Sequence, residues 1–106
     1  MLESRFKTKL IDELEDLFPG CIVMHNDAGY IQGIPDLLIL YRNKWAALEG
    51  KRNKDSPYQP NQEYYVELMN NMSFARFIYP ENKQEVLNEL QRAFSFKRST
   101  LISKCQ

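Results

Sequence analysis

Apolar residues at the start of the chain recur at steps of four and three: Leu2, Phe6, Leu10, Leu14 and Leu17. That is the period of an amphipathic helix, and it predicts one over residues 2–18, stopped by Pro19-Gly20. The pattern then shortens. Residues 21–25 (CIVMH) read as a short strand, and Asn26-Asp27-Ala28-Gly29 is a turn-rich break. Residues 36–41 (DLLILY) form a nearly continuous apolar run, the pattern of a strand buried on both faces. Arg42-Asn43 is a tight reversal and 44–51 (KWAALEGK) the next strand, so 36–51 reads as a hairpin. Residues 52–59 are polar, contain Pro57 and predict a loop. Pro60 suits the first turn of a helix over 60–72, with Tyr65, Leu68, Met69 and Met72 on one face. Residues 74–79 (FARFIY) predict a fourth strand ending at Pro80. Asn82, with Glu85 three residues on, resembles a capping box, and the helix it opens presents Val86, Leu87, Leu90 and Phe94. The order α-β-β-β-α-β-α makes this a mixed α/β fold with a four-stranded sheet, one domain over 1–94 and a basic tail over 95–106.

At 106 residues the chain suffices for one core and is too short for two. Fourteen basic residues balance fourteen acidic ones, so the average charge names no partner. The distribution is polarised. Arg42, Lys44, Lys51, Arg52 and Lys54 face Glu49 alone within 42–54, and Arg92, Lys97, Arg98 and Lys104 have no acid among them in 92–104. That leaves five basic against thirteen acidic residues elsewhere, a separation compatible with a nucleic-acid face. No apolar run reaches the length of a membrane span, and the first ten residues lack the apolar stretch of a signal peptide. Cys21 and Cys105, with one histidine, make neither a disulfide framework nor a zinc cage. An intracellular, cytoplasmic protein in a reducing setting is the expectation.

The chemistry-bearing stretch is Gly33-Ile34-Pro35-Asp36, followed after twelve residues by Glu49-Gly50-Lys51. Alternation along a strand puts Glu49 and Lys51 on one side and Gly50 on the other. In a hairpin over 36–51, Asp36 falls near Glu49–Lys51, because both lie away from the Arg42-Asn43 turn. Two carboxylates and a lysine then converge at one edge of the sheet, each next to an apolar run where charge is costly unless used or paired. Oxygen ligands from Asp36, Glu49 and a nearby carbonyl suit a hard divalent cation, and Lys51 beside it suits an attacking water or a phosphate under attack.

Gly33-Ile34-Pro35-Asp36-Leu37-Leu38 followed by Glu49-Gly50-Lys51 resembles the PD-(D/E)XK nuclease superfamily, more narrowly its small stand-alone VRR-NUC members of the sort phages encode as structure-specific endonucleases. The resemblance implies a restriction-endonuclease-like core of order α-β-β-β-α-β over roughly residues 1–94. It implies that Asp36 and Glu49 bind metal with the main-chain carbonyl of Gly50, and that Lys51 is the catalytic lysine. The family often adds a glutamine on the helix after the motif, matched by Gln62, and a glutamate on the first helix, best matched by Glu3.

The expected activity is Mg2+-dependent hydrolysis of DNA phosphodiester bonds, with Mn2+ as a substitute and branched or Holliday-junction DNA as substrate. No nucleotide cofactor and no membrane partner are expected. The alternatives are a nuclease acting on DNA ends or nicks, and a DNA-binding accessory module without useful catalysis. Arg52, Lys54 and Tyr58 are candidate DNA contacts, and exposed Tyr64 keeps a similar reading. His25 at a strand end reads more readily as a hydrogen-bonded edge residue than as a base. Asn26, Asp27 and Gly29 form a turn near the site. The resemblance also implies a homodimer. Thirteen aromatic residues exceed what so small a core readily conceals, and Phe94, Phe96, Leu101 and Ile102, near or in the tail, have no obvious core role.

Overall fold

The computed structural model describes residues 3–27 and 29–95, the side chain of Glu3 excepted. The elements are α1 (Glu3–Leu17), β1 (Ile22–His25), β2 (Leu37–Tyr41), β3 (Lys44–Gly50), α2 (Gln62–Met72), β4 (Ala75–Ile78) and α3 (Lys83–Phe94). The four strands form one mixed sheet in the order β1-β2-β3-β4. β2 runs antiparallel to both of its neighbours, β1 and β3, and β4 runs parallel to β3. A parallel neighbour requires a crossover, and α2 supplies it.

Side-chain alternation along β3 divides the interior in two. Ala46 and Leu48 join Phe6, Leu10 and Leu14 of α1 and Val86, Leu87 and Leu90 of α3 in the main core. Ala47 points the opposite way and packs with Val66 of α2 and Ala75 of β4, flanked by Trp45, Met69 and Phe77. Two helices therefore cover one face of the sheet and a single helix covers part of the other. The expectation that β2 is buried on both faces fails for this reason: α2 lies on β3 and β4. Leu37 and Ile39 are sealed in the main core, while Leu40 on the opposite face keeps 36% of its surface.

Several local expectations change in the same way. The buried stripe of α1 ends on Phe18, not Leu17, because a step of four from Leu14 stays over the sheet and a step of three turns toward solvent. α2 begins at Gln62, two residues later than predicted, since Asn61 takes a left-handed φ of 70° that no helix can include. Its buried residue is Val66, and Met72 is exposed. Asn82 does not form a capping box. Its Oδ1 accepts from the Tyr79 amide at 2.8 Å and its Nδ2 donates to the Phe77 carbonyl at 3.1 Å, so it ties the turn between β4 and α3. Phe94, expected to lack a core role, is buried. It meets Phe18 edge-on at 5.0 Å and stacks on Tyr41 at 5.6 Å, closing the core at the hairpin end. Phe96, Leu101 and Ile102 lie outside the described residues.

Gly33 fixes how the loop after β1 meets α2. Its φ is +93°, and a Cβ there would lie 2.6 Å from Asn61 Cβ and 2.7 Å from both the Asn61 carbonyl carbon and the Pro60 oxygen. Only a residue without a side chain permits that approach. Gly20 has nearly the same φ, +89°, with nothing within 4 Å of a Cβ. Gly20→Ala should therefore cost only the left-handed backbone penalty, about 1 kcal/mol, and Gly33→Ala that penalty plus a backbone clash, about 3 kcal/mol or more. Urea unfolding of both variants measures the difference, which should vanish if Gly33 has no packing role.

Candidate active site at the end of the central strands

The register Leu37↔Leu48, extended by one residue, brings Asp36 opposite Glu49. Since β2 and β3 are the inner strands, the convergence lies at the end of the sheet's centre and not at an edge strand. The Gly50 amide donates to Asp36 Oδ1 at 3.2 Å, which fixes one carboxylate oxygen. Asn26 clamps the same segment from β1: its amide donates to the Asp36 carbonyl and its Nδ2 to the Pro35 carbonyl, both at 2.8 Å. This is a positioning role that the turn-rich composition of 26–29 did not disclose. Asp27 and Gly29 do form the expected turn, through a 2.8 Å bond from the Gly29 amide to Asp27 Oδ1.

Among the described residues, Glu49 and Lys51 are the charged side chains that are buried, at 5% and 6% exposure. The alternation expected for 49–51 holds. A Cβ at Gly50 would face Lys7 of α1, whereas Glu49 pairs in register with Phe77, on the α2 side. The Lys51 amide continues the β3–β4 ladder by donating to the Ile78 carbonyl at 2.8 Å, and its ammonium turns to the start of α2. Nζ donates to Gln62 Oε1 at 2.5 Å and to the Pro57 carbonyl at 3.1 Å. Gln62 Oε1 also accepts from the Gln59 amide at 2.8 Å, so the glutamine holds both the lysine and its own loop. These two bonds use two of the three ammonium donors.

The structure thus brings Asp36, Glu49, Gly50, Lys51 and Gln62 together. Glu3 heads α1, and its side chain lies outside the described residues. Arg52 and Lys54 are exposed on the adjoining loop. Tyr58 is half-exposed, stacked on Phe77 at 4.3 Å, with the Lys51 ammonium 5.8 Å from its ring centroid. Tyr64 is exposed and packs edge-on against Tyr65. His25 is exposed at the end of β1, paired with Leu37.

Lys7 was not among the residues singled out from the sequence. Its ammonium forms an ion pair with Asp36 Oδ2. That oxygen is buried and has no aligned hydrogen bond, so the pairing is one of charge and proximity. The available signal was its place one residue after Phe6, on the flank of the buried stripe.

No group of three or more His, Cys, Asp or Glu side chains able to hold a metal occurs among the described residues. Two carboxylates at a strand end nevertheless fit Mg2+, which keeps most of its waters and takes one or two carboxylates beside phosphate oxygens. The buried Asp36 Oδ2, without a hydrogen bond, is the oxygen such an ion would take.

The Lys51–Gln62 bond can be tested apart from any activity. A double-mutant cycle of Lys51→Met and Gln62→Ala in urea should return a coupling of about 1–2 kcal/mol, as for a part-buried hydrogen bond to a charged group. Additive losses would mean that the two side chains do not support one another. Compared with models of known families, with curated proteins and with solved structures, the chain matches none.

Proposed function

We propose that this chain is a divalent-metal-dependent endonuclease that hydrolyses DNA phosphodiester bonds. The observation that carries the reading is the convergence, at one end of β2 and β3, of Asp36 and Glu49 with a buried lysine held by Gln62. Asp36, Glu49 and Lys51 are the residues of the Asp…Glu-x-Lys spacing, and Gln62 is the glutamine that the family resemblance adds. The α-β-β-β-α-β order through β4 agrees with the restriction-endonuclease-like core that the PD-(D/E)XK resemblance implies.

Asp36 and Glu49 would hold the ion together with the main-chain carbonyl of Gly50. When bound, a Mg2+ or Mn2+ ion supplies charge neutralisation at phosphorus and acidifies a coordinated water. The protein's own groups do the rest. The Gly50 amide and Asn26 keep Asp36 in place before substrate arrives. Lys51, anchored by the Pro57 carbonyl and Gln62, directs its third N–H toward the water or the phosphate oxygen that gains charge. Attack of the water oxygen on phosphorus forms one P–O bond and breaks one P–O ester bond; the water gives a proton to solvent and the departing alkoxide takes one from solvent, leaving a phosphate monoester end and a hydroxyl end. Arg52 and Lys54, exposed beside the site, contact neighbouring phosphates, and Tyr58 offers a half-open ring to a base.

Branched DNA is the substrate geometry we favour, and a homodimer the assembly. Phe94 serves the core. Support comes instead from the uncovered face of β1 and β2, where Ile22, Met24 and Leu40 expose 58%, 46% and 36% of their surface. Among the described residues no helix is long and apolar enough to cross a membrane. The second reading, a DNA-binding module without useful catalysis, draws on the Lys7–Asp36 pair, which already neutralises one of the two carboxylates.

Asp36→Ala or Glu49→Ala should abolish Mg2+-dependent cleavage of junction, flap, nicked and linear duplex DNA while leaving the fold intact by thermal melt. Lys51→Ala should lower the cleavage rate by about a hundredfold or more with DNA affinity little changed. Arg52→Ala and Lys54→Ala should do the opposite, weakening binding and flattening its salt dependence by about one unit of slope each. Cleavage undiminished in the Asp36 or Glu49 variants overturns the site, and absence of cleavage of all four substrates at stoichiometric wild-type protein favours the binding module.

Light scattering at micromolar concentration should give twice the chain mass. Leu40→Lys, which places a charge on the open face, should give a monomer of unchanged melting temperature within about 3 °C. A wild-type monomer removes the dimer and leaves the metal site standing.

A further inference from the structure

We propose that Lys7 is the resident cation of the Asp36 site, the residue that sets which metal ions enter it and how tightly they hold. This inference rests on the nuclease reading and adds a selectivity-determining residue to that site.

Three observations converge on Lys7. Its ammonium already pairs with Asp36 Oδ2, the buried oxygen that lacks a hydrogen bond. Its stem lies across Gly50, where a Cβ would stand 3.1 Å from Lys7 Cε and 3.3 Å from Cγ, so the missing side chain at 50 makes room for the reach from α1. An open groove of about 540 Å³ adjoins it, lined by Ser4, Thr8, Ile11, Asp12 and His25 with Lys7 itself. The two side chains are each about one-fifth exposed, at 22% and 20%, while Oδ2 itself is buried, so an ion reaches that oxygen by displacing the ammonium.

The physical consequence is an exchange of cations. Without Lys7, Asp36 Oδ2 would be a buried carboxylate oxygen with neither a hydrogen bond nor its ammonium counter-charge, a loss that costs stability. With Lys7 present, an entering ion must displace an ammonium that is tethered to the fold. A monovalent ion brings no more charge than the ammonium and loses to it. A divalent ion brings twice the charge and can be shared between Asp36 and Glu49, after which the Lys7 ammonium moves into the groove beside α1. Lys7 therefore favours divalent over monovalent ions and weakens divalent binding to a reversible level.

The test uses the full chain and Mn2+ as the probe, with free Mn2+ followed by electron paramagnetic resonance. Lys7→Met keeps the stem over Gly50 and removes the charge, and Lys7→Gln is the second variant. Both should bind Mn2+ about tenfold more tightly than wild type, on the scale expected for removing one contacting charge at a part-exposed site. Both should melt lower than wild type without metal and show a larger rise in Tm on adding Mn2+. Asp36→Asn should abolish the binding in each background. Wild-type binding with unchanged or weaker affinity in both lysine variants overturns the role of Lys7 alone. No Mn2+ binding by wild type or by either variant overturns both this inference and the metal site beneath it.

Discussion

The register between β2 and β3 is the constraint on which the rest of the molecule depends. Leu37 faces Leu48 and Ile39 faces Ala46, all four fully buried against α1 and α3. A slip of one residue would turn Leu37 and Ile39 out of that core, which makes the register costly to change. The same pairing brings Asp36 opposite Glu49 and lets the Gly50 amide reach Asp36 Oδ1. Packing of the hydrophobic core thus sets the spacing of the polar groups at the strand ends. Neither carboxylate needs its own scaffold.

Charge at that end is tolerated because each group has been given partners. Lys51 is buried yet meets the Pro57 carbonyl, Gln62 Oε1 and the ring of Tyr58. Asp36 has the Gly50 amide on one oxygen and the Lys7 ammonium against the other. A part-buried pair of this kind is weak support for stability, since desolvation offsets much of the attraction, but loss of one partner is costly. The local architecture around Lys51 also depends on a distant contact: Gly33 packs against Pro60-Asn61, the segment from which Gln62 emerges. Motif glycine and motif lysine are thereby linked through the first turn of α2.

The two faces of the sheet are unequally covered, and this asymmetry shapes the surface. α1 and α3 bury one face, whereas α2, within the β3-to-β4 crossover, lies on β3 and β4. Ile22, Met24 and Leu40 are left on the uncovered part. The aromatic surplus noted in the composition resolves differently at the two ends. Phe18, Tyr41 and Phe94 form a closed cluster near the hairpin turn, while Tyr58 and Tyr64 remain open near the candidate site.

Local periodicity and spacing by themselves gave the element order, the hairpin at Arg42-Asn43 and the set Asp36, Glu49 and Lys51, because helix and strand repeats and a motif on one hairpin are written in near neighbours, whereas Gln62 was legible only through the family resemblance. Glu3 was legible only as a residue of the first helix. What periodicity could not supply was anything decided by how separate elements dock. A lysine on the flank of α1 reads as solvated until α1 is laid across Gly50, and then it is the counter-charge of Asp36. Asn82 carries a capping signal, yet the turn after β4 offers its side chain two backbone partners that it takes instead. Phe94 sits at the margin of a basic tail, and only the meeting of α1, α3 and the hairpin encloses it. The open face of β2 follows from the reach of α2, a length set in three dimensions and not along the chain. Sequence patterns fix which face of an element is apolar, and tertiary packing fixes what that face meets.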